Sequence, residues 1–494
     1  MELWQQVCLV AYCCVVAVLG LYGFHRYLLL RLFHQHRRDT AAPHSRFTAL
    51  PPVTIQLPLY NEFHVVERLL DAVAQIDYPR DLLQVQVLDD STDATRQKAQ
   101  QCCQRLQRGG LDIHYLHRAE RTGFKAGALA AGLASATGEF VLILDADFVP
   151  PADLLHETIH HFTDPQIGMV QTRWGHLNRE HSLLTRIQSI FLDGHFVIEH
   201  TARSRSGRFF NFNGTGGIWR KAAIVEAGGW QHDTLTEDLD LSYRAQLAGW
   251  RFLFLSDVEV PGEIPVEING FKSQQHRWTK GAVQVAKKLL FRIWRSDAAV
   301  KAKVEATFHL TANICYILML LMALLTLPVL NIRTHLGWER LLIIDLPLFS
   351  FATMAISGFY LASQRALYPE WKRQIKLLPM LMAMGMSLCI NNTRAVIEGW
   401  IGYETPFLRT PKYGVTNATH APHKPLYSSR RTVLALGELG MAAYFAYALY
   451  QAWHTELYMG LPFLLLFLTG FLYTGLLSST QEWLSRMRSE PQPI

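Results

Sequence analysis

The chain has 494 residues, a formal net charge of +6 and a hydrophobic fraction of 50%. Its mean hydropathy of +0.08 is high for a soluble enzyme and too low for a protein that lies in a membrane throughout, so the apolar residues must be clustered. Seven cysteines without metal-type spacing argue against a zinc site or a disulfide framework. The basic residues concentrate beside apolar segments, which indicates membrane topology and not nucleic-acid binding.

The first apolar cluster spans 7–24 and carries no formal charge. Arginines follow it, beginning at Arg26, whereas a cleaved signal peptide carries its positive charges before the apolar run. This order predicts a retained transmembrane helix within 1–30, with its far end in the cytosol.

Strands and helices alternate at the start of the block 48–270. The predicted strands are 53–57, 85–88 and 113–116. Asn61 is placed to cap the helix that runs through Ala74. An alanine-rich helix precedes the next strand, and the repetition predicts a mostly parallel, doubly wound α/β sheet.

The run 140–144 (Phe-Val-Leu-Ile-Leu) predicts a buried parallel strand that ends in Asp145 and Asp147. Ligands of open α/β sheets bind outside the carboxyl ends of the strands. Two carboxylates with one residue between them can hold Mg²⁺ or Mn²⁺, whose shell is usually completed by phosphate oxygens. The alternative for an isolated pair is a turn with solvated aspartates.

Other polar clusters also follow strands, so they converge on the same edge of the sheet. No Gly-x-Gly-x-x-Gly follows the first strand and no Gly-x-x-x-x-Gly-Lys-Ser/Thr occurs, which argues against NAD or the ATP of a P-loop enzyme. A metal-bound diphosphate fits better. Lys125 could neutralise its phosphates, although a lone loop lysine is more often solvated.

Six motifs occur in order along the chain. They are Pro-x-Tyr-Asn-Glu (58–62), Asp-Asp-Ser (89–91), Lys-Ala-Gly-Ala-Leu (125–129), Asp-Ala-Asp (145–147), Thr-Glu-Asp (236–238) and Gln-Gln-His-Arg-Trp (274–278). Together they resemble the processive family 2 glycosyltransferases of the cellulose synthase superfamily. The stretches 171–178 and 184–188 resemble in particular the plant cellulose-synthase-like mannan and glucan synthases and their bacterial relatives. The resemblance extends from about 53 to beyond 412.

This resemblance implies a glycosyltransferase A-type domain inserted in an α-helical transmembrane bundle with interfacial helices. It also implies that Asp147 is the more direct metal ligand of the pair. The residues it implies for donor binding are Tyr60, Glu62, Asp89, Asp90, Lys125, Asp145, Gln274 and Arg277. The catalytic set that it implies is Asp238, Glu237, Asp147 and Arg277.

Within the catalytic set, the resemblance makes Asp238 the general base and Glu237 its neighbour. Both stand at a predicted helix start, where the helix dipole favours the ionised form; an ordinary acidic helix start is the alternative. Trp278 offers a flat apolar face to an acceptor sugar, which favours processivity, and a membrane-interface tryptophan is the alternative reading. The implied acceptor residues are Gly214, Thr215, Gly216 and Trp278.

Four further segments are long and apolar enough to span a membrane: 310–330, 341–361, 432–453 and 457–477. The segment 377–393 either spans or lies in the interface. The positive-inside rule prefers the second arrangement, with five spans, the amino terminus outside and the catalytic block in the cytosol. Asp345 and Glu438 lie inside predicted spans and are candidates for lining a polar sugar channel. Phe407, Thr410 and Lys412 resemble the gating loop of the family.

The predicted organisation is a transmembrane helix (1–30), a glycosyltransferase domain (48–270), amphipathic interface helices (271–303), two transmembrane helices with an interface helix (304–400), a gating-type loop (401–431), two transmembrane helices (432–480) and a cytosolic tail (481–494).

The resemblance implies an inverting, processive β-glycosyltransferase that uses a UDP- or GDP-hexose with Mg²⁺ or Mn²⁺ and exports its polymer through its own bundle. The expected product is a β-1,4-glucan or mannan, and the expected membrane is a bacterial inner membrane or a Golgi membrane. The expected partners are the donor, the growing polysaccharide, membrane lipid and export proteins. The alternatives are a one-step glycolipid-forming transferase and a non-catalytic scaffold or transporter. Asp145, Asp147, Asp238 and Arg277 together argue against the last.

Overall fold

The computed structural model describes residues 1–39, 41–336, 342–403, 410–416 and 432–489. A long helix, α1 (Leu3–His36), precedes an α/β domain, and a helical bundle follows it. The strands are β1 Val53–Leu59, β2 Leu83–Asp89, β3 Asp112–His117, β4 Phe140–Ile143, β5 Ile167–His176, β6 Gly217–Arg220 and β7 Arg251–Gly262. The α-helices of this domain are α2 Val66–Ala74, α3 Thr95–Arg108, α4 Phe124–Ser135, α5 Leu154–Ile159, α6 Leu183–Asp193, α7 Thr201–Arg205, α8 Lys221–Glu226 and α9 Glu237–Leu247.

The strands of the described residues form one seven-stranded sheet in the order β3-β2-β1-β4-β6-β5-β7. Strands β3, β2, β1 and β4 run parallel. Strand β6 is antiparallel to both of its neighbours, and β7 is parallel to β5. The predicted mostly parallel α/β sheet is therefore confirmed. Strands β2 and β3 lie on one side of β1, and β4 lies on the other, so the strand order reverses between β1 and β4. Ligands bind at this position in such sheets.

Both faces of β4 are buried, which explains its uninterrupted apolar sequence. Phe140 and Leu142 pack into a core with β1, β2, α2 and α3. Val141 and Ile143 point to the other face and pack with residues of α4, β6 and α9. All four side chains are fully buried. The carboxyl end of this rigid strand therefore has a fixed position in the molecule.

The prediction that Asn61 caps a helix is wrong. Helix α2 begins only at Val66, and Asn61 itself has a left-handed backbone with φ of 52°. Its side-chain Oδ1 accepts a hydrogen bond from the Thr92 N–H at 2.9 Å, and its own N–H donates to Ser91 Oγ at 2.8 Å. Asn61 thus joins the loops that follow β1 and β2.

The carboxyl-terminal part of the described chain is helical. Its α-helices are α10 Ile268–Arg295, α11 Val300–Thr311, α12 Ile314–Leu336, α13 Leu342–Leu367, α14 Leu378–Ser387, α15 Cys389–Ile401, α16 Thr432–His454 and α17 Leu461–Ser489. Within the described residues, five stretches are long and apolar enough to cross a membrane: Leu3–His36, Ile314–His335, Trp371–Ile401, Val433–His454 and Tyr458–Gln481. The chain is therefore a membrane protein by the length and composition of these helices.

The stretch Trp371–Ile401 is broken at Leu388 into α14 and α15. Just before it, at the end of α13, Gln364 donates to the Asp193 carboxylate in the α/β domain at 2.8 Å. Beyond it, Lys412 lies 2.7 Å from Asp147. Both flanking segments therefore contact the α/β domain, so the stretch returns to the side from which it starts.

Glu438, a candidate for lining a sugar channel, lies in a buried ion pair. Its carboxylate lies 2.6 Å from Lys272 Nζ, and both side chains are 1% exposed. The same ammonium group donates to Ser478 Oγ at 2.7 Å. This buried ion pair joins α10 to α16 and α17, because an intramembrane carboxylate needs a partner. The Asp345 side chain lies outside the described side chains.

Candidate active site

A cleft of about 150 Å³ lies at the carboxyl ends of β1, β2 and β4. The sequence-predicted residues that line it are Tyr60, Asp90, Lys125, Asp145, Asp147, Gly214, Glu237, Asp238, Gln274, Arg277, Trp278, Thr410 and Lys412. They come from loops that are far apart in the chain. The fold thus gathers most of the predicted site into one cleft, as expected for residues that follow parallel strands.

Each aspartate of the Asp-x-Asp pair lies against a lysine. Lys125 Nζ donates to Asp145 Oδ1 at 2.5 Å and to the Gly214 carbonyl at 2.9 Å. Lys412 Nζ donates to Asp147 Oδ2 at 2.7 Å. Burial lowers the pKa of Lys125, but the nearby carboxylates of Asp145 and Glu237 outweigh it and the net pKa is raised. Lys125 therefore stays charged.

The carboxylate oxygens of Asp145 and Asp147 suit a hard cation, and they already attract two ammonium groups. Within the described residues, no group of three or more His, Cys, Asp or Glu side chains could hold a metal ion. Magnesium-type sites with only one or two carboxylates usually take the remaining ligands from substrate phosphates and water. Asp145 and Asp147 thus fit a divalent cation that arrives with a diphosphate.

A second pair of carboxylates, Glu237 and Asp238, stands at the first turn of α9 and also lines the cleft. Asp238 Oδ1 accepts from the Leu239 N–H at 2.8 Å. Gly214 has a φ of +84°, and a Cβ there would lie 3.1 Å from Asp238 Oδ2, so the 214–216 loop packs directly on this carboxylate.

Burial controls the protonation of this second pair. Burial, followed by the charge of Glu237, raises the pKa of the Asp238 carboxyl to about 7. Burial also raises the pKa of Glu237 and outweighs the charge of Lys125. The expectation that the helix dipole favours the ionised form is wrong in its net effect, because desolvation is the larger influence. A carboxyl group with a pKa near 7 is suited to take up a proton at neutral pH.

The raised pKa of Asp238 predicts a pH dependence. A base must be ionised, so sugar transfer should be full above about pH 7 and fall by about tenfold per pH unit below it. The measurement is kcat/KM as a function of pH at a fixed metal concentration. The residual activity of Asp238→Asn should lack this acidic limb. If kcat/KM instead falls near the ordinary pKa of an aspartate, Asp238 is not the base.

The nucleoside end of the cleft differs in part from the prediction. Asp90 lines the cleft and forms a two-point ion pair with Arg118, at 2.8 and 2.6 Å. Asp89 is fully buried outside the lining and accepts hydrogen bonds from the Tyr115 hydroxyl and the Ser91 N–H. Glu62 is also buried outside the lining. Asp89 and Glu62 are therefore buried residues outside the cleft lining.

Two arginines at this edge of the sheet, Arg118 and Arg121, are not among the residues predicted from the sequence. Arg118 follows β3 and pairs with Asp90, as described above. The Arg121 guanidinium lies 3.4 Å from the centroid of the Tyr60 ring and lines the cleft. The signal was present, because both residues follow the third strand of the sheet and therefore reach the same edge.

Gln274, Arg277 and Trp278 lie on one face of α10, at the spacing of one helical turn. All three line the cleft. Trp278 and Asp238 also line a second, larger cavity of about 680 Å³. Thr215 and Gly216 are not among the residues that line the cleft, and the Thr215 hydroxyl accepts a hydrogen bond from the Asp145 N–H at 2.9 Å.

The larger cavity extends from the cleft into the helical bundle. Near the cleft its wall includes Asn213 and His195, whose side chains lie 2.9 Å apart. His195 also contacts Glu199 at 3.0 Å, and Glu199 pairs with Arg26 of α1. In the helical bundle its lining is mostly apolar but includes Thr326, Arg333 and Thr353; the apolar side chains are Val16, Met319, Met322, Val329, Met382, Met386, Leu464 and Phe467. The side chains of Asn213, His195, Glu199 and Arg26 form a polar belt in this cavity, and no periodicity in the sequence points to them.

The gating-type loop is described only over residues 410–416. Thr410 and Lys412 line the cleft, as the resemblance implied. Phe407 lies outside the described residues. The loop therefore brings a positive charge to the edge of the aspartate pair.

The sheet order and the carboxylates at its edge are those of a glycosyltransferase A-type fold. A family model described as "Glycosyltransferase like family 2" matches residues 51–281, and glucomannan 4-beta-mannosyltransferase 2 of Arabidopsis thaliana is 44% identical over 251 residues. Residues 51–281 are thus similar to this family, and in particular to its cellulose-synthase-like mannan synthases.

The Arabidopsis alignment covers 50% of this chain and 47% of that protein. Glucomannan 4-beta-mannosyltransferase 1 of Cyamopsis tetragonoloba is 44% identical over 244 residues, which is 48% of this chain and 46% of that protein. The chain thus spans about half the length of the curated relatives it matches. Among solved structures, a mannosyltransferase from Pyrobaculum calidifontis in complex with GDP-Man and Mn²⁺ is 22% identical, with a TM-score of 0.49, over 79% of this chain and 99% of that one.

Proposed function

We propose that this protein is a membrane-embedded, inverting, processive β-glycosyltransferase that polymerises a hexose from a nucleotide-sugar donor. The observation that carries the proposal is the position of Asp238. Its half-buried carboxyl lines both the cleft with the aspartate pair and the cavity that enters the bundle. A base at the junction of a donor site and an acceptor path is what polymer synthesis requires.

The donor lies in the cleft in this proposal. Its nucleoside end meets Asp90, Tyr60 and Arg121, and its diphosphate lies near Lys125 and the aspartate pair. A divalent cation held by Asp145 and Asp147 supplies charge neutralisation for the leaving diphosphate. Arg277 contributes further positive charge on the opposite side.

The acceptor hydroxyl approaches from the larger cavity. Asp238 takes its proton while the hydroxyl oxygen attacks the anomeric carbon and the nucleoside diphosphate leaves. One displacement inverts the anomeric centre, and an α-linked donor yields a β-linked product. Glu237 keeps Asp238 basic through its negative charge.

The larger cavity supports the processive and export parts of the proposal. It begins at Trp278, whose flat ring gives a sugar ring an apolar surface. Beyond it, the belt of Asn213, His195, Glu199 and Arg26 offers hydrogen-bonding groups to sugar hydroxyls. A chain leaving Asp238 therefore has a path toward the bundle.

The proposed topology places the amino terminus outside and the α/β domain in the cytosol. The return of 371–401 to the side of the domain supports it, because the contacts of Gln364 and Lys412 place both flanking segments beside that domain. The membrane is a bacterial inner membrane or a Golgi membrane in this proposal. Interface helices α10 and α11 carry exposed Phe291, Trp294 and Val300, which suit a lipid surface.

The product is proposed to be a β-1,4-mannan or glucan, because the matched relatives carry the name glucomannan 4-beta-mannosyltransferase. The test offers labelled GDP-mannose, UDP-glucose and UDP-N-acetylglucosamine separately to purified, detergent-solubilised protein with Mg²⁺ or Mn²⁺. A long polymer from one donor supports the proposal and names the sugar. Transfer of one sugar per lipid would favour a glycolipid-forming transferase, which the apolar membrane part of the cavity also suits. No incorporation from any donor would contradict the proposal.

Replacing Trp278 by alanine should shorten the polymer more than it slows the first transfer. The indole ring contributes about 1.4 kcal/mol of contact with a sugar ring, so its loss raises the dissociation rate of the growing chain about tenfold. Product length is measured by size-exclusion chromatography at matched turnover. Exposed Trp294 on the same helix provides a control, since Trp294→Ala should leave product length unchanged. Unchanged length in Trp278→Ala would remove the stacking role.

A further inference from the structure

Three consecutive residues of the 410–416 loop hydrogen-bond to one residue, Glu263. The Tyr413 N–H donates to Glu263 Oε1 and the Gly414 N–H donates to Oε2, both at 2.9 Å. Lys412 Nζ donates to the Glu263 carbonyl oxygen at 2.5 Å. Glu263 directly follows β7, and its side chain is 1% exposed. The loop is thus fixed to the end of a sheet strand.

Further contacts hold the same arrangement. Arg68 Nη2 lies 3.3 Å from the Asp147 carbonyl oxygen and 3.5 Å from Glu263 Oε2. One guanidinium therefore contacts both Asp147 and Glu263. Gly414 has a φ of +76°, and a Cβ there would lie 3.1 Å from the His64 carbonyl oxygen. A side chain at this position would therefore push the loop away from its seat.

The anchor determines where the Lys412 ammonium lies. Since Tyr413 and Gly414 are fixed by their own N–H groups, the preceding residue has little freedom, and its Nζ reaches Asp147 Oδ2 at 2.7 Å. A carboxylate suits the binding of two backbone N–H groups because both of its oxygens accept hydrogen bonds. A glutamine at 263 would present one acceptor, and its NH₂ group would face a backbone N–H.

We propose that Glu263 is a positioning residue of the transfer reaction: it holds residues 412–414 across the donor cleft so that Lys412 meets the donor diphosphate. The proposal rests on the proposed function, because it presumes a nucleotide-sugar in the cleft. Glu263 itself touches neither the donor nor the acceptor. Its effect passes through the loop.

Glu263→Gln should raise KM for the donor by about 10- to 100-fold, the range expected when a buried charged hydrogen-bond network is broken. The value of kcat should change by less than about threefold, because Asp238 and the aspartate pair are untouched. The measurement is steady-state transfer by the full chain in detergent, with the donor that supports polymer formation. Exposed Asp257 on the same strand provides a matched control, and Asp257→Asn should leave KM unchanged. An unchanged KM in Glu263→Gln would overturn the proposal.

A double-mutant cycle with Lys412→Ala separates positioning from general loss of structure. If Glu263 acts through Lys412, the double variant should have the same KM as Lys412→Ala alone, within about twofold. If the increases in KM caused by the two substitutions multiply in the double variant, the proposal is overturned. Gly414→Ala disturbs the loop without altering Glu263 and should raise KM in the same direction, which keeps the test valid if Glu263→Gln does not fold.

Hydrogen exchange without nucleotide makes the test independent of the proposed function. Amides of 410–416 should exchange about tenfold faster or more in Glu263→Gln, while those of β1 and β4 stay unchanged. If the wild-type protein transfers no sugar, the proposed function fails and the anchoring is still measured. If the loop exchanges at the wild-type rate in Glu263→Gln, the positioning role fails and the proposed function stands.

Discussion

Replacing Asp238 by asparagine should lower sugar transfer by about 10²- to 10⁴-fold, the range for loss of a general base. The substitution keeps the shape of the side chain, and its Oδ1 still accepts from the Leu239 N–H. It removes the group whose pKa of about 7 allows it to take the acceptor proton. The aspartate pair and Lys125 stay in place, so binding of GDP or UDP with Mn²⁺ should be unchanged within about twofold.

The measurement combines kcat at saturating donor with calorimetric titration of GDP and UDP. Asp233 provides the control, because it is exposed close to α9 and pairs with Lys288 at 2.8 Å. Asp233→Asn should keep near wild-type transfer, since Lys288 also pairs with Asp240 at 2.9 Å. Loss of nucleotide binding in Asp238→Asn would show that this carboxyl belongs to the donor site, and retained transfer would show that it is not the base.

Much of the fold could be predicted because its signals are local. The apolar run at 140–144 has no polar residue to expose, so a strand buried on both faces was the simplest interpretation. Parallel strands bring their carboxyl ends together, so motifs that follow strands had to meet at one edge. The gathering of Asp90, Asp145 and Lys125 in one cleft follows from this topology alone.

The contacts between distant parts of the chain could not be predicted in the same way. Glu263 and Lys412 are separated by 149 positions, and neither stands in a periodic pattern that points to the other. The short antiparallel strand β6 has four residues, too few for an alternation to be read. Asn61 looked like a helix cap because its side chain suits that role, but the loop after β2 offers it a Thr92 N–H instead. In each case a tertiary partner decided between local alternatives.

The protonation of Asp238 also lay beyond the sequence. A helix start predicts a lowered pKa through the dipole, which acts over the first turn. Burial acts in the opposite direction and depends on what covers the helix start. Here the 214–216 loop and α10 cover it, and Glu237 adds a second negative charge. The larger influence came from packing, which only the structure supplies.

Replacing Asp147 by asparagine should lower transfer by about 100-fold or more, and the loss should depend on the metal concentration. An amide oxygen carries no charge and is a weaker ligand for Mg²⁺ or Mn²⁺ than a carboxylate. The same change removes the partner of Lys412 at 2.7 Å, so the loop loses one contact while its anchor at Glu263 remains. In Asp147→Asn, weaker metal binding should therefore lower sugar transfer more than the lost contact with Lys412 does.

Titration of Mn²⁺ at a fixed GDP or UDP concentration measures the metal effect directly. The apparent Mn²⁺ affinity should fall by about 10- to 100-fold in Asp147→Asn, and high Mn²⁺ should restore part of the transfer. Exposed Asp153 lies near the start of α5, and Asp153→Asn should leave the titration unchanged. Added Mn²⁺ should not rescue Glu263→Gln, because that substitution alters the loop and leaves both aspartates intact. Equal metal dependence of Asp147→Asn and the wild-type protein would remove Asp147 from the metal site and leave it as the docking partner of Lys412.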